Sequence, residues 1–213
     1  MARRTKEDAL ATRHQLLDAA ERVFFDKGVS RTSLNDIALA AGATRGAIYW
    51  HFKNKADLFN AMMERVTLPM EEALHQSGQD CGNDALGELM GAILNAMRKI
   101  TSDERTRLVF EVAVYKVEYV DDLLAVKVRQ VETNAEVVQK MQDALQDALQ
   151  RRGLPLLTAP AAVANGLHAL VAGLIQCWLL VPESFDLVET AQQALKAYLA
   201  GLGLTKPQPA APA

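Results

Sequence analysis

The stretch from Thr32 to Lys55, TSLNDIALAAGATRGAIYWHFKNK, constrains the fold most. Ser33 is placed to cap a short helix, and Asp36, three residues on, supplies the acidic half of a capping box. Leu34, Ile37, Ala38 and Ala41 then share one helical face. Gly42 has the backbone freedom to end that helix. Thr44 caps a second helix carrying Arg45, Gly46, Ala47, Ile48, Tyr49 and Trp50. Two short helices joined by a sharp turn form a helix-turn-helix, and the second has the size and chemistry to enter a major groove.

The exit from this pair is aromatic and basic. Tyr49, Trp50, His51, Lys53 and Lys55 bring hydroxyl, indole, imidazole and ammonium donors together. Such donors bind phosphate oxygens and fix orientation without reading sequence. Asn54 is placed to cap a further helix, whose first N–H groups favour an anion. In this reading Arg45 is the base reader, because a guanidinium fits guanine O6 and N7 bidentately. Thr44 and Gly46 lie beside it. Tyr49, Trp50, His51 and Lys55 hold phosphates, as does Ser33 or Thr32 at the front of the first helix. Arg3, Arg4 and Lys6 form a basic arm that reaches a neighbouring groove.

Charge is distributed to match. The chain has 213 residues and a formal net charge of −3, which alone does not suggest nucleic acid. Residues 1–55 hold ten Lys and Arg against six acids, a balance of +4, so the remainder carries −7. A basic head on an acidic body is the pattern of a DNA reader with a separate second domain. Half of the residues are apolar and aromatics are few. Ala, Leu, Val, Gln, Glu and Lys dominate, which predicts an all-α fold. The length suffices for one or two domains with a real core.

The remaining helices follow from periodicity. Helix 1 is expected over about 9–27, stopped by Gly28. Helix 4 is expected from Lys55 towards Leu74, with a kink or break at Pro69. Helix 5 spans about 85–100. Ser102, with Asp103 and Glu104, reads as the cap and acidic first turn of helix 6, to about Glu118. Helix 7 runs over about 120–152, and helix 8 follows Pro160. Helix 9 opens near Asp186 with the stripe Val188, Ala191, Leu195, Tyr198 and Leu202. The tail TKPQPAAPA reads as disordered. Helix 8 is apolar almost all round, and Gly166, Ala169, Ala172 and Gly173 permit close approach of a neighbour. Such a helix needs cover on every side, which points to a homodimer through helices 8 and 9. Ala159 to Val181 is also the nearest thing to a membrane span, but Pro160, Asn165, His168 and Gln176 favour a buried interface helix, and no membrane partner is expected.

Enzymatic chemistry finds little support. His14, His51, His75 and His168 fall at no metal spacing, and no nucleophile, Walker or dinucleotide motif is present. No metal or cofactor is expected. Cys81 and Cys177 match no zinc or redox spacing, and the N-terminus lacks the apolar core of a signal peptide. Both point to a reducing, cytoplasmic setting. Glu111 and Glu118 share a helix face, with Arg105 and Arg107 placed to pair with them.

On the stretch TRGAIYWHFKNKADLF the chain resembles the TetR family of one-component transcriptional regulators. The opening ARRTKEDALATR and the late segment GLIQCWLLVPESFDL are similar to its AcrR-like branch, whose members repress multidrug efflux operons. The middle of the chain resembles that branch loosely, most clearly at DERTRLVFEVAVYKVEYVDD.

The resemblance implies an N-terminal helix-turn-helix domain over 1–54, a ligand-binding and dimerisation domain over 55–204, a tail over 205–213, and about nine helices. It also implies a cavity between helices 4 to 8 for a small apolar or aromatic inducer, where periodicity alone would read the methionines as core. Lining residues would be Met63, Val66 and Met70 of helix 4, and Ile93 and Met97 of helix 5. Phe110, Glu111 and Val114 would come from helix 6, and Asn134, Val138 and Met141 from helix 7. Leu167, His168, Val171 and Gln176 would come from helix 8. Val114, Val137 and Ala172 are apolar where some members offer polar groups, so no member's ligand carries over. The implied function is a repressor that leaves double-stranded operator DNA when the inducer binds. Two alternatives stay open: a regulator of a metabolic or lipid pathway with the same fold, and a ligand-binding helical module that does not bind DNA.

Overall fold

The computed structural model describes residues 6–77, 84–119, 123–155 and 159–204, with side chains excepted over 70–77. Among the described residues the chain forms nine α-helices and no strand: α1 (Lys6–Lys27), α2 (Leu34–Ala40), α3 (Arg45–His51), α4 (Lys55–Ser77), α5 (Ala85–Ser102), α6 (Glu104–Tyr115), α7 (Leu124–Arg151), α8 (Pro160–Leu180) and α9 (Leu187–Gly201). The all-α expectation holds. Arg3, Arg4, the Met70 side chain, Cys81, residues 120–122 and the tail 205–213 lie outside the described residues.

Local signals set most helix ends. Gly28 stops α1 at φ +83° and Gly42 ends the α2 turn at φ +65°, both in the left-handed region where a side chain is strained. Asp186 caps α9, accepting from the Glu189 N–H at 2.8 Å. Three expectations are corrected. Lys6 belongs to the first turn of α1 and not to an arm. Ser102 closes α5, and Asp103 is the residue that caps α6, through the Thr106 N–H. Helix α6 ends at Tyr115 instead of near Glu118, where the Lys116 carbonyl turns to accept the Val29 N–H at 2.9 Å. Pro69 sits inside α4, which continues to Ser77 without a break.

The chain divides into two compact units. The first comprises Met1–Pro69 with Asp103–Val131, the second Met70–Ser102 with Glu132–Ala213. Within the first, α1 packs against α2, α3 and α6. Leu16, Leu17 and Phe24 of α1 meet Ile37, Ile48, Phe52, Leu58 and Val112 in one buried cluster. Phe24 and Phe59 contact with ring centroids 6.2 Å apart.

Within the second unit, α9 packs against α5 and α8. Its buried stripe is Leu187, Ala191, Leu195 and Leu199. Leu195 is fully buried in the chain's own core, so it is not available to a partner. Gly166 also serves the chain itself. A Cβ there would come 2.6 Å from the Tyr198 hydroxyl, which donates to the Val163 carbonyl at 2.7 Å. Helix α8 is long and apolar enough to cross a membrane, and only 28% of its most apolar window is buried. Ala162, Ala169, Ala172, Cys177 and Leu180 remain exposed along it.

Candidate nucleic-acid interface

The α2–α3 pair is held by reciprocal caps. Ser33 Oγ accepts from the Asp36 N–H at 3.2 Å, and the Asp36 carboxylate accepts from the Ser33 N–H at 2.9 Å and the Ser33 hydroxyl at 2.6 Å. The Ser33 hydroxyl first, and its N–H second, hold the Asp36 carboxyl below the usual carboxylate range. Between the helices the Ala43 N–H donates to the Ala38 carbonyl at 2.9 Å. Thr44 Oγ1 then accepts from the Ala47 N–H at 3.2 Å and opens α3.

Only Ile48 of α3 is buried. Its other side presents Thr44, Arg45, Gly46, Tyr49 and Trp50 together as an exposed face, with Trp50 73% exposed. The Arg45 guanidinium lies 5.8 Å from the Tyr49 ring centroid, one turn on, which restrains its rotamers while leaving its fork of donors outward. Around Gly46 there is open space, so the backbone can approach a partner closely. His51 is half-buried and meets Trp50 edge-on at 4.5 Å.

The exit is built as a second box. Asn54 accepts from the Asp57 N–H at 2.8 Å, and Asp57 accepts from the Lys53 N–H at 2.9 Å. Asn54 therefore caps α4 as its position implied. Lys55 is half-buried, and its ammonium donates to the Ser30 carbonyl at 2.9 Å. That bond holds the ammonium near the front of α2 and leaves two of its three donors for other acceptors.

Thr32 is placed differently from the reading above. It is buried, and its hydroxyl donates to the Gly28 carbonyl at 2.8 Å. Of the pair Thr32 and Ser33, only Ser33 is exposed. Lys6 is exposed at the start of α1. Two features carry no signal in a single short window. Leu39 is 79% exposed beside the turn. Helix α6, some sixty residues later, belongs to the same unit as the helix pair. Arg105 of α6 does not pair with Glu111 or Glu118 as expected. It binds Asp18 at 2.7 Å and Glu21 at 3.3 Å on α1, while Glu118 accepts from the Ser30 hydroxyl at 3.0 Å.

The residues read as ligand-lining fall in both units. In the first, Val66 is buried, Met63, Phe110 and Glu111 are half-buried, and Val114 is exposed. Burial pushes the Glu111 carboxyl upward, with Arg107 and Lys116 opposing. In the second, Ile93, Met97, Met141 and Leu167 are buried, Asn134, Val138, His168 and Val171 are half-buried, and Gln176 is exposed. Val114 follows buried Val112 by two residues, and Gln176 follows buried Leu167 by nine; both offsets turn a side chain to the far side of its helix. An open groove on the second unit, lined by Ala162 and Val163 of α8 and Ala197, Tyr198, Gly201 and Leu202 of α9, contains none of the proposed ligand residues. Among the described residues no group of three or more His, Cys, Asp or Glu is placed to hold a metal ion.

A capped helix pair with an exposed Arg, Tyr and Trp face defines a helix-turn-helix regulator. Residues 16–62 match the family described as bacterial regulatory proteins, tetR family, and residues 84–203 match the MAATS-type transcriptional repressor C-terminal region. The HTH-type transcriptional regulator TtgR of Pseudomonas putida is 38% identical over 188 residues, covering 88% of this chain and 90% of its own. Two solved structures are similar over nearly their whole length. NalD, the secondary repressor of the MexAB-OprM multidrug efflux pump in Pseudomonas aeruginosa, superposes with a TM-score of 0.82 at 34% identity, covering 91% of this chain and 98% of its own. SmeT in complex with triclosan gives 0.77 at 32% identity, covering 95% and 100%. The chain belongs to the TetR family of transcriptional regulators.

Proposed function

We propose that this protein represses a multidrug efflux operon and releases its DNA when an apolar or aromatic molecule binds. The observation that carries the DNA half is the exposed α3 face, on which Arg45, Tyr49 and Trp50 are all exposed. In this assignment residues 1–54 read DNA and residues 55–204 bind ligand and dimerise. Arg45 contacts a base. Ser33, Thr44, Gly46, Tyr49, Trp50, His51 and Lys55 position the backbone, and Lys6, with Arg3 and Arg4, adds charge. The setting is the cytoplasm, where the DNA is.

The efflux half is supported by relatives. NalD and SmeT are described as repressors of multidrug efflux pumps, and SmeT was solved with triclosan bound. The dimer is assigned to α8 and α9 because α8 leaves an apolar side uncovered in the single chain. Two heads then meet half-sites about 34 Å apart, or a multiple of that. Within the second unit, the half-buried Asn134, Val138 and His168 supply the apolar and polar chemistry that a ligand site of this kind uses.

The test is a titration of the protein onto the DNA upstream of its own gene and of any neighbouring efflux operon, at several salt concentrations, with and without triclosan. Repression predicts tight, steeply salt-dependent binding that triclosan weakens. A protein that binds neither fragment better than unrelated DNA overturns the reading. Tight binding indifferent to triclosan and to other pump substrates overturns the efflux half alone.

A further inference from the structure

Several arginines of this chain reach carboxylates. Arg65 and Arg105 both bind Asp18 and Glu21, Arg129 binds Glu64, and Arg151 binds Asp147. Arg13 and Arg45 are held in another way. The Arg45 guanidinium lies 5.8 Å from the Tyr49 ring centroid, and the Arg13 guanidinium lies over the Phe52 ring, 5.2 Å from its centroid. Among the described residues neither guanidinium has a hydrogen-bond acceptor. For Arg13 the sequence gives the reason. Its neighbours three and four positions away on α1 are Ala9, Leu10, Leu16 and Leu17, and none of their side chains can accept.

Phe52 is buried and follows α3 directly, so its ring fixes Arg13 beside the exit of the reading helix. Phe52 meets His51 with ring centroids 6.2 Å apart, and His51 meets Trp50 at 4.5 Å. Arg13 thus stands at one end of a row of rings whose other end is the exposed Trp50. Lys53, next after Phe52, is exposed. Lys6 lies about two helical turns before Arg13 and therefore on the same face of α1. A leucine or methionine would cover Phe52 equally well, without half-burying a guanidinium that finds no acceptor in the chain. The donors of Arg13 are what an apolar cover would lack.

We propose that Arg13 is a DNA contact of α1, binding a backbone phosphate beside those held at the α3 exit. The proposal rests on the regulator reading above and adds a residue to it. A planar guanidinium takes a phosphate bidentately, and a ring beneath it restrains the side chain while its in-plane donors stay available. Arg13 belongs to α1 and not to the α3 face that would meet base edges. It therefore contributes affinity common to all sequences and no preference among them. Lys6 extends the same positive face along α1 by about 10 Å.

The experiment titrates the full-length wild type, Arg13→Leu and Arg13→Lys onto the DNA upstream of the protein's own gene and onto an unrelated duplex, at several salt concentrations, with a thermal melt of each protein. Arg13→Leu should weaken both duplexes by the same factor, about tenfold, and flatten the salt slope by about 0.9 for each head. It should melt like the wild type, because leucine still covers Phe52. Arg13→Lys should keep the slope. If Arg13→Leu melts lower, Arg13→Gln, which removes the charge without adding apolar surface, must show the same flattening. A variant that loses thermal stability yet keeps the wild-type slope means that Arg13 only covers Phe52, and overturns the proposal. So does a loss confined to the upstream fragment, which would make Arg13 a base reader. A wild type that prefers neither duplex and binds both weakly defeats the regulator reading and this contact with it. Normal wild-type binding with unchanged slopes in the variants defeats the contact alone.

Discussion

The α2–α3 pair and the α8–α9 pair each bury one side and leave another uncovered, and the difference between the uncovered sides tells their partners apart. On α3 the exposed groups are a guanidinium, a phenol, an indole and hydroxyls, all hydrogen-bond donors. On α8 they are mostly small and apolar, four alanines with Cys177 and Leu180, interrupted by Asn165 and Gln176, and a Cβ at Gly173 would meet nothing within 4 Å. Donors without a protein acceptor suit phosphates and base edges. Apolar surface without cover suits a second copy, because an isologous contact matches the same patch against itself. The pairs also differ in how they are built. Caps and a left-handed glycine within a dozen residues shape the first. The second depends on α5, α8 and α9, some hundred residues apart in sequence.

The sharpest way to break this comparison is a charge on the apolar side. A Cβ at Gly173 would meet nothing within 4 Å in the single chain, so the monomer should tolerate a side chain there. Gly173→Asp should nevertheless split the dimer, by about 3–5 kcal/mol for a buried unpaired charge, and tight operator binding should go with it. Sedimentation decides; a stable dimer means that this part of α8 is not in the interface.

On the other side, Arg45→Ala should cost about 1–3 kcal/mol and relax preference at one base pair per half-site. Lys55→Ala should weaken all sequences alike and flatten the salt slope by about one. Titration over a panel of operator variants separates the two, and equal loss on every variant for Arg45→Ala would refute its base-reading role. Between the helices, Gly42→Val should destabilise the first unit by about 1–2 kcal/mol, since valine must adopt φ +65°. A thermal melt against Gly42→Asn, a residue that tolerates that region, isolates the strain.

The smallest effect is electrostatic. The folded state holds the Asp36 carboxyl below its ordinary range through Ser33. Its contribution is therefore complete above that range and is lost as pH falls through the lowered folded value. Asp36→Asn should be less stable than wild type at neutral pH and indistinguishable from it in acid. A difference that persists unchanged into acid would mean that the charge of Asp36 is not what the cap uses.

Residue by residue, the legible parts were the local ones. Ser33, Asp36, Gly42, Thr44, Asn54 and Asp186 were readable because a cap or a left-handed turn involves groups within a few positions of one another. The same rule explains the near misses. Ser102 and Asp103 both look like caps, and the choice fell to the residue whose carboxylate reaches the Thr106 N–H. Thr32 and Ser33 both carry hydroxyls, and only the fold turns the first inward onto Gly28.

By itself, then, the sequence determined the helices, their caps, the helix-turn-helix and the chemistry of its exposed face, because backbone hydrogen bonds and helical periodicity act over a few residues. Tertiary structure alone decided that Leu195 faces the chain's own core and that Gly166 makes room for Tyr198. It likewise decided that Arg105 reaches back across 87 residues to Asp18. Those outcomes depend on which helix faces meet, and a charge or a small residue looks the same in a sequence whether its partner lies one turn away or at the other end of the fold.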